Sequence, residues 1–558
     1  MLRVTPLSHA LLRVPFMIAQ ILIVIIAAIA VTVFAERRDI QPPLLVAMVG
    51  LAASFIPGMP RLELEPEIIL GLVLPPMLFS AAADFSFFSF IKRLGSIVNL
   101  GVFLVVATTF AVAGVASFAI PGMTFPVALV LAAVIAPPDA VTAITIGRKA
   151  GLPSGLMTVL KGESLINDAA ALTLFAAAVA TVAGTPAFID NLTLYFIYSA
   201  IVAIIVGVAL GWAVQSFRVR LSNPSLATVV SVLTPFAAYL LAEELHASGV
   251  IAVVAAGFSL GHNAAAVSYA ERMQERQFWR TIDTLLETFV FAYIGLQLRF
   301  VIDDAQGAGF ELPELLAIAG LILLATIVVR FAWIYGTAVL GRLRHRGIEK
   351  RLQHVKAPRG RRFELLAPFS WKENLVLSWN GMRGVVTLAA AAGIPLLTAS
   401  GEEFPWRDAI LALAFLVTIG TLLLQGLTLP WLIKRLDVSD PRDAEHEQQQ
   451  RNLARSLSLE AANSAVDDYL RDNDSEDDRR LGEMMRRRMP GNQKLAGTDR
   501  NLDRAKMLTL SQTMLAARRN RLIAARDAME LDDSVVREML EQMDLEQAVA
   551  DNMQSRMR

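Results

Sequence analysis

Three short stretches of otherwise apolar sequence hold the residues that could do chemistry. The first is GLMTVLKGESLINDAAALTLF, in which Glu163, Ser164, Asn167 and Asp168 stand among Leu, Ile and Ala. On a helix, Glu163 and Asn167 share one face and Ser164 and Asp168 another, with Asp168 turned about 100° from Asn167. An oxygen-only donor set of this kind suits a hard cation such as Na⁺, by the reasoning that governs Ca²⁺ and Mg²⁺. The second is LVLAAVIAPPDAVTAITI, where Pro137 and Pro138 precede Asp139 and Thr142. Each proline lacks an N–H and clashes with the preceding turn, so the helix breaks there and leaves carbonyls free beside Asp139. The plainer alternatives are a simple kink with Asp139 at an interface and, for the first stretch, a capped helix start with Lys161 at an aqueous boundary. The latter leaves Asp168 unexplained.

The third stretch, SWNGMRGVVTLAAAAGIP, places Arg383 between Gly381 and Gly384, a second candidate break. A buried arginine demands a carboxylate, and Glu163 or Asp168 is available. Arg330, in VVRFAWIYG, makes the same demand or else snorkels towards the basic loop after residue 341.

The elements that must position these residues are membrane spans. Of 558 residues, 55% are hydrophobic and 18% charged, against roughly 25% charged in soluble domains. By the length of about 20 apolar residues that a crossing needs, about thirteen candidates run along the chain. They cover residues 15–35, 42–57, 66–85, 95–119, 124–146, 155–183, 192–216, 226–244, 248–262, 281–300, 312–341, 372–398 and 407–435, the second and ninth being short. The first has an apolar run longer than a signal-peptide core and is expected to be retained. Bases mark alternate loops (Arg37 and Arg38, Lys92 and Arg93, Arg148 and Lys149, Arg218 and Arg220), and acids such as Glu63, Glu243 and Glu402 mark those between. That alternation predicts an outside N-terminus and a cytoplasmic C-terminus, with Arg3 and Arg13 dissenting. The charges left at bilayer depth are Asp139, Glu163, Asp168, Arg330 and Arg383.

Residues 437–558 are of different material, charged and helical in period over 442–470, 502–530 and 533–556, with a flexible stretch expected around 471–500. The domain division is therefore 1–436 for the membrane and 437–558 for a cytosolic helical tail. Lys and Arg together number 51 and so do Asp and Glu, so no basic excess points to nucleic acid. Cysteine is absent, and the six histidines form no HExxH pair, which argues against a thiolate or His-ligated metal.

PPDAV, GESLIND, ETFVFAYIGLQL and GMRGV follow one another along the chain. In these motifs the sequence resembles the monovalent cation:proton antiporter family 1, in particular its NhaP/NHE-type Na⁺/H⁺ exchangers, over about residues 15–436. The resemblance implies an all-α polytopic membrane protein of about thirteen helices in two inverted repeats, the NhaA/NapA-like antiporter fold. It implies a homodimer whose core domain slides like an elevator against a dimerisation domain, with the fifth and twelfth spans broken and crossing. Position by position it makes Asp168 the essential cation- and proton-binding aspartate and Asn167 its Asn-Asp partner. Ser164 and Asp139 become secondary ion-site members, and Glu163 and Arg383 a structural ion pair. Arg330, Pro137, Pro138 and Thr142 are supporting residues. Where many members have Thr-Asp-Pro, this chain has Pro138-Asp139-Ala140, so a threonine oxygen is missing.

The expected activity is exchange of Na⁺ or Li⁺ for H⁺, held by Asp168, Asp139 and Ser164, across a prokaryotic plasma membrane in the service of pH and sodium homeostasis. Asn167 in place of a second acid favours one-for-one electroneutral exchange. No cofactor is expected. The alternatives are K⁺/H⁺ exchange on the same scaffold and, from other classes, a tail-regulated channel or a membrane hydrolase. Polarity clustered in three helices speaks against a continuous channel, and the lack of a GxSxG-type elbow against a hydrolase.

Overall fold

The structure, a computed structural model, describes residues 7–38, 40–57, 61, 69–139, 141–184, 189, 191–221, 223–263, 267–352, 369–438, 441–473, 475–488 and 504–555. Among these residues the regular secondary structure is helical, with one isolated bridge between Leu397 and Glu403. Eight helices among the described residues are long and apolar enough to cross a membrane, and Pro42–Ser54, Ile69–Ala83, Phe125–Ile135 and Gly249–His262 are shorter apolar helices.

The helices sort into two bundles. The first contains α1 (Leu7–Arg37), α2 (Pro42–Ser54), α3 (Leu74–Ala83), α10 (Leu192–Arg218), α11 (Pro224–Glu244), α12 (Gly249–His262) and α13 (Tyr269–Gly307). Its tightest seam joins α2 to α13, where a Cβ on Gly50 would stand 2.9 Å from the Ala292 carbonyl oxygen and 3.2 Å from the Gly295 Cα. Two glycines thus let the backbones touch and lock the pair. Between α3 and the second bundle lie the short α4 (Phe87–Lys92) and α5 (Leu94–Val98).

The second bundle contains α6 (Val105–Ala119), α7 (Phe125–Ile135), α8 (Val141–Ala150), α9 (Ser154–Ala183) and α14 (Leu312–Leu352). It is completed by α15 (Trp371–Trp379), α16 (Val385–Ala392), α17 (Arg407–Thr421) and α18 (Leu427–Leu436). From Val127 to Ile135 helix α7 is buried except at Leu129, as a helix apolar on all sides must be. Ser370 and Glu373 open α15 with reciprocal side-chain-to-backbone bonds of 3.2 and 2.7 Å, a capping box. π-helical turns occur at Ile69–Val73, Asn99–Leu104 and Leu422–Gly426.

Three helices overrun the expected spans by several residues: the first, expected at 15–35, begins at Leu7. The tenth, expected at 281–300, begins at Tyr269, and the eleventh continues to Leu352. Charged flanks continue a helix that membrane length would have stopped.

The tail forms α19 (Pro441–Asp472), α20 (Glu476–Arg488), α21 (Arg504–Asp527) and α22 (Asp533–Ser555). Part of the stretch expected to be flexible is thus helix α20, because Leu481 and Met485 pack with Val466, Leu510 and Met514. Residues 489–500 of that stretch lie outside the described residues. The tail docks on the first bundle: Arg272 pairs through two nitrogens with Asp544, and Arg276 meets Glu541 at 3.0 Å. Arg537 donates to the Ala83 and Phe85 carbonyls at 3.0 and 3.3 Å, capping the end of α3.

Candidate functional site

Both sequence-predicted breaks are present, and they meet. After Ile135 the chain is irregular through Asp139, and between Trp379 and Val385 it is irregular again. The Asp139 N–H donates to the Met382 carbonyl at 2.6 Å, and Arg383 Nε donates to the Ile135 carbonyl at 2.9 Å. Each interruption thereby satisfies backbone groups of the other, as irregular backbone inside an apolar bundle requires. The Arg383 N–H donates to the Thr421 hydroxyl at 3.0 Å, tying the crossing to α17. Gly384 is required by proximity: a Cβ there would collide with the Asp139 side chain.

Helix α9 lies against this crossing. Asn167, fully buried, donates from Nδ2 to the Pro138 carbonyl at 2.5 Å, so the amide caps an oxygen that the proline break exposes. Its Oδ1 has no hydrogen-bond partner among the described residues. The same holds for Asn380 Oδ1, Thr387 Oγ1 and both amide atoms of Gln425, all buried. Asp168 is 7% exposed, with no basic side chain at ion-pair distance among the described residues. It lines a cavity of about 270 Å³ with Asp139, Ser164, Pro137 and Thr387, and with Asp283 and Glu287 from α13. Lys161 also reaches that cavity, in keeping with an aqueous face on this part of α9.

The intramembrane ion pair differs from the one expected. Glu163 pairs with Arg330, not Arg383: Arg330 spans both carboxylate oxygens at 2.5 and 2.9 Å and donates its Nε to the Leu377 carbonyl at 3.0 Å. Both partners are buried, so Arg330 does not snorkel. The reason lies in the backbone. Arg383 stands inside a break, and the freed carbonyls of Ile135 and Gly381 take its N–H groups. Arg330, from the regular helix α14, gives only its Nε to a carbonyl, that of Leu377, and keeps both terminal nitrogens for the acid. The Glu163–Arg330 bridge still joins α9, α14 and α15, the linking role expected of Glu163.

Thr142 falls within α8, but its side chain lies outside the described residues. Asp283 and Glu287 are the acids that the sequence reading left out of the bilayer-depth set. The signal was present in DTLLETF, two acids one turn apart leading into an apolar run. A span started at residue 281 placed them at its edge, whereas the helix that begins at Tyr269 carries them into the cavity.

This arrangement defines a class: a membrane-spanning helical protein in which two interrupted helices cross beside a buried carboxylate, the plan of a secondary transporter. The description "sodium/hydrogen exchanger, transmembrane" matches residues 21–435 of the chain. A Mycobacterium tuberculosis protein described as an uncharacterized Na⁺/H⁺ exchanger is 34% identical over 450 residues, 80% of this chain and 79% of the relative. The Na⁺/H⁺ antiporter ApNhaP of Aphanothece halophytica is 29% identical over 79% of each chain. The sodium proton antiporter MjNhaP1 of Methanocaldococcus jannaschii shares the fold, with a TM-score of 0.59 at 19% identity over 76% of this chain and 99% of that one. The chain belongs to the sodium/hydrogen exchanger family, a family of cation/proton antiporters and not of enzymes.

Proposed function

We propose that this protein exchanges Na⁺ or Li⁺ for H⁺ at Asp168, with Asp139, Ser164 and Asn167 completing the site. The carrying observation is a buried carboxylate that faces a cavity and has no basic partner among the described residues, beside two crossed helix breaks. A carboxylate in that setting gains from either a proton or a cation, so the two compete for one group. Asn167 contributes a neutral amide where a second acid would add a charge, which favours one-for-one electroneutral exchange. Glu163 and Arg330 hold the helices together, and Arg383 pins one break to the other.

The two-bundle arrangement supports elevator-type alternating access. In this reading the bundle with both breaks moves against the bundle of α1–α3 and α10–α13, with thirteen crossings in two inverted repeats and the first bundle forming a homodimer. The loop charges favour an outside N-terminus and a cytoplasmic tail, with residues 1–436 as the exchanger domain, in a prokaryotic plasma membrane serving pH and sodium homeostasis.

K⁺ exchange is the second reading. It draws on a Bacillus pumilus relative, 28% identical over 75% of this chain and described as a sodium, potassium, lithium and rubidium/H⁺ antiporter. It also draws on the absent threonine before Asp139. Proteoliposomes holding a pH-sensitive dye, titrated with Na⁺, Li⁺ and K⁺ at clamped potential, decide the matter. Na⁺- and Li⁺-driven proton flux that a potential alone does not drive is expected. Flux with K⁺ alone would overturn the ion assignment, and potential-driven turnover would overturn electroneutrality.

A further inference from the structure

Asp283 and Ser80 stand where two cavities meet. The inner cavity holds Asp139 and Asp168, and an outer cavity of about 120 Å³ lies towards the tail. Six arginines line the outer one, but Arg218, Arg272, Arg276, Arg526 and Arg537 are each ion-paired with an acid of the bundle or the tail, so most of that positive charge is already matched. Ser80, Asp84 and Asp283 line both. The Ser80 hydroxyl donates to Asp283 Oδ2 at 2.5 Å, while Asp283 Oδ1 is buried without a hydrogen-bond partner among the described residues. Glu287 lies four residues on, on the same face of α13 and roughly 6 Å further along the axis, and it lines only the inner cavity. An independent sign of a polar occupant comes from α16. Thr387 is 1% exposed and lines the inner cavity, and its hydroxyl has no partner among the described residues. A buried hydroxyl left this way requires a water or an ion to satisfy it.

These acids differ from Asp168 in what holds them. Asp168 belongs to α9, in the bundle with the breaks, whereas Asp283 and Glu287 belong to α13, locked to α2 through Gly50 and Gly295. They face the ion site from the opposite wall.

We propose that Asp283, held by the Ser80 hydroxyl, is the threshold residue on the tail face: it draws a cation from the outer cavity and passes it by way of Glu287 to Asp168. The inference rests on the antiport reading above. Because the two acids stay with the stationary bundle, they lend their charge to loading and release on one face and do not travel with the ion. Net stoichiometry is therefore still set at Asp168. Asp283 is a positioning residue for access, not the carrier.

The test uses the full chain in proteoliposomes sorted by protease access to the tail, with Na⁺ supplied to one face at a time. Asp283→Asn is expected to raise KM for Na⁺ on the tail face about tenfold, the loss of one charge–cation attraction of about 1.4 kcal/mol. The rate at saturating Na⁺ and the KM on the opposite face should stay at wild-type values. Asp283→Glu should restore the tail-face KM, and Ser80→Ala should raise it in the same direction by less, a variant that keeps the charge and so guards against misfolding as the cause. An unchanged tail-face KM in Asp283→Asn, or an equal rise on both faces, would overturn the proposal. Wild-type protein without cation-driven proton flux would instead overturn the antiport reading beneath it.

Discussion

Two sets of charged side chains lie within the apolar bundles, and the fold treats them in opposite ways. Glu163 and Arg330 face one another with both carboxylate oxygens matched, a backbone carbonyl taking the remaining Nε, and almost no exposure. Asp168, Asp283 and Glu287 share a cavity, and no basic side chain pairs with any of them among the described residues. A buried bidentate pair has its charges already matched and offers no net charge to a further ion. Carboxylates left without a counter-charge keep an affinity for cations and protons. The same residue type is thus structural in one place and available for exchange a few residues further along one helix, and the difference is the partner, not the burial.

Breaking the closed set should have the largest effect on the fold. Glu163→Gln leaves Arg330 charged, buried and half-matched, and loss of one partner of such a pair costs about 3–5 kcal/mol. Thermal unfolding in detergent should show a large drop. A double variant, Glu163→Gln with Arg330→Met, should recover much of it, because the stranded charge is gone. If Glu163→Gln alone were as stable as wild type, the division between structural and exchanging charges would not hold.

A smaller effect on stability, with a larger one on the open set, is expected from Gly384→Ala. The added methyl displaces the Asp139 side chain, and forcing atoms into a packed site costs about 1–3 kcal/mol. Cation affinity should fall more than the unfolding temperature indicates. Equal and modest changes in both would show that Asp139 does not serve the ion site.

A break in the tail contact should stay local. Asp544→Asn weakens the bonds from Arg272 and Arg519, and a hydrogen bond to a charged group is worth about 1.5–3 kcal/mol. Amide exchange along Asp533–Ser555 should quicken while the membrane helices are unaffected. Acid should loosen the tail at a second point. The Lys506 ammonium, with the Ser475 and Tyr469 hydroxyls, holds the Asp478 carboxyl down to about 2, against an ordinary aspartate near 3.9. A depressed carboxylate contributes stability above its unfolded value and loses it as pH falls through the folded one. The contacts of α20 with α21 and α19 should therefore weaken between about pH 4 and 2, the unfolded and folded values of this one group.

Much of the site is legible along the chain because its causes are local. Adjacent prolines break a helix wherever they occur, and Pro137-Pro138 does so here. A carboxylate deep in an apolar run needs a reason, and Asp168 has one in the cavity. What the sequence conceals is set by neighbours far along it. Spacing on α9 cannot say whether Arg330 or Arg383 reaches Glu163; Arg383 commits Nε and a terminal nitrogen to carbonyls of the two breaks, whereas Arg330 keeps both terminal nitrogens for the acid. Asp283 and Glu287 were hidden by length, since a helix that overruns the bilayer carries its acids inward from where a span of about 20 residues would end. In the tail, helix α20 depends on Leu481 meeting Val466 across a turn, a contact that no local period reveals.

The measurement closest to the central claim is cation-driven proton flux in proteoliposomes containing Asp168→Asn, beside a thermal unfolding curve of the same preparation. Asparagine keeps the shape and removes the charge for which proton and cation compete. Exchange should be abolished while unfolding stays at the wild-type temperature or above it, since a buried charge without a counter-ion is no longer desolvated. Retained exchange in a folded Asp168→Asn protein would contradict the assignment of that carboxylate as the shared carrier.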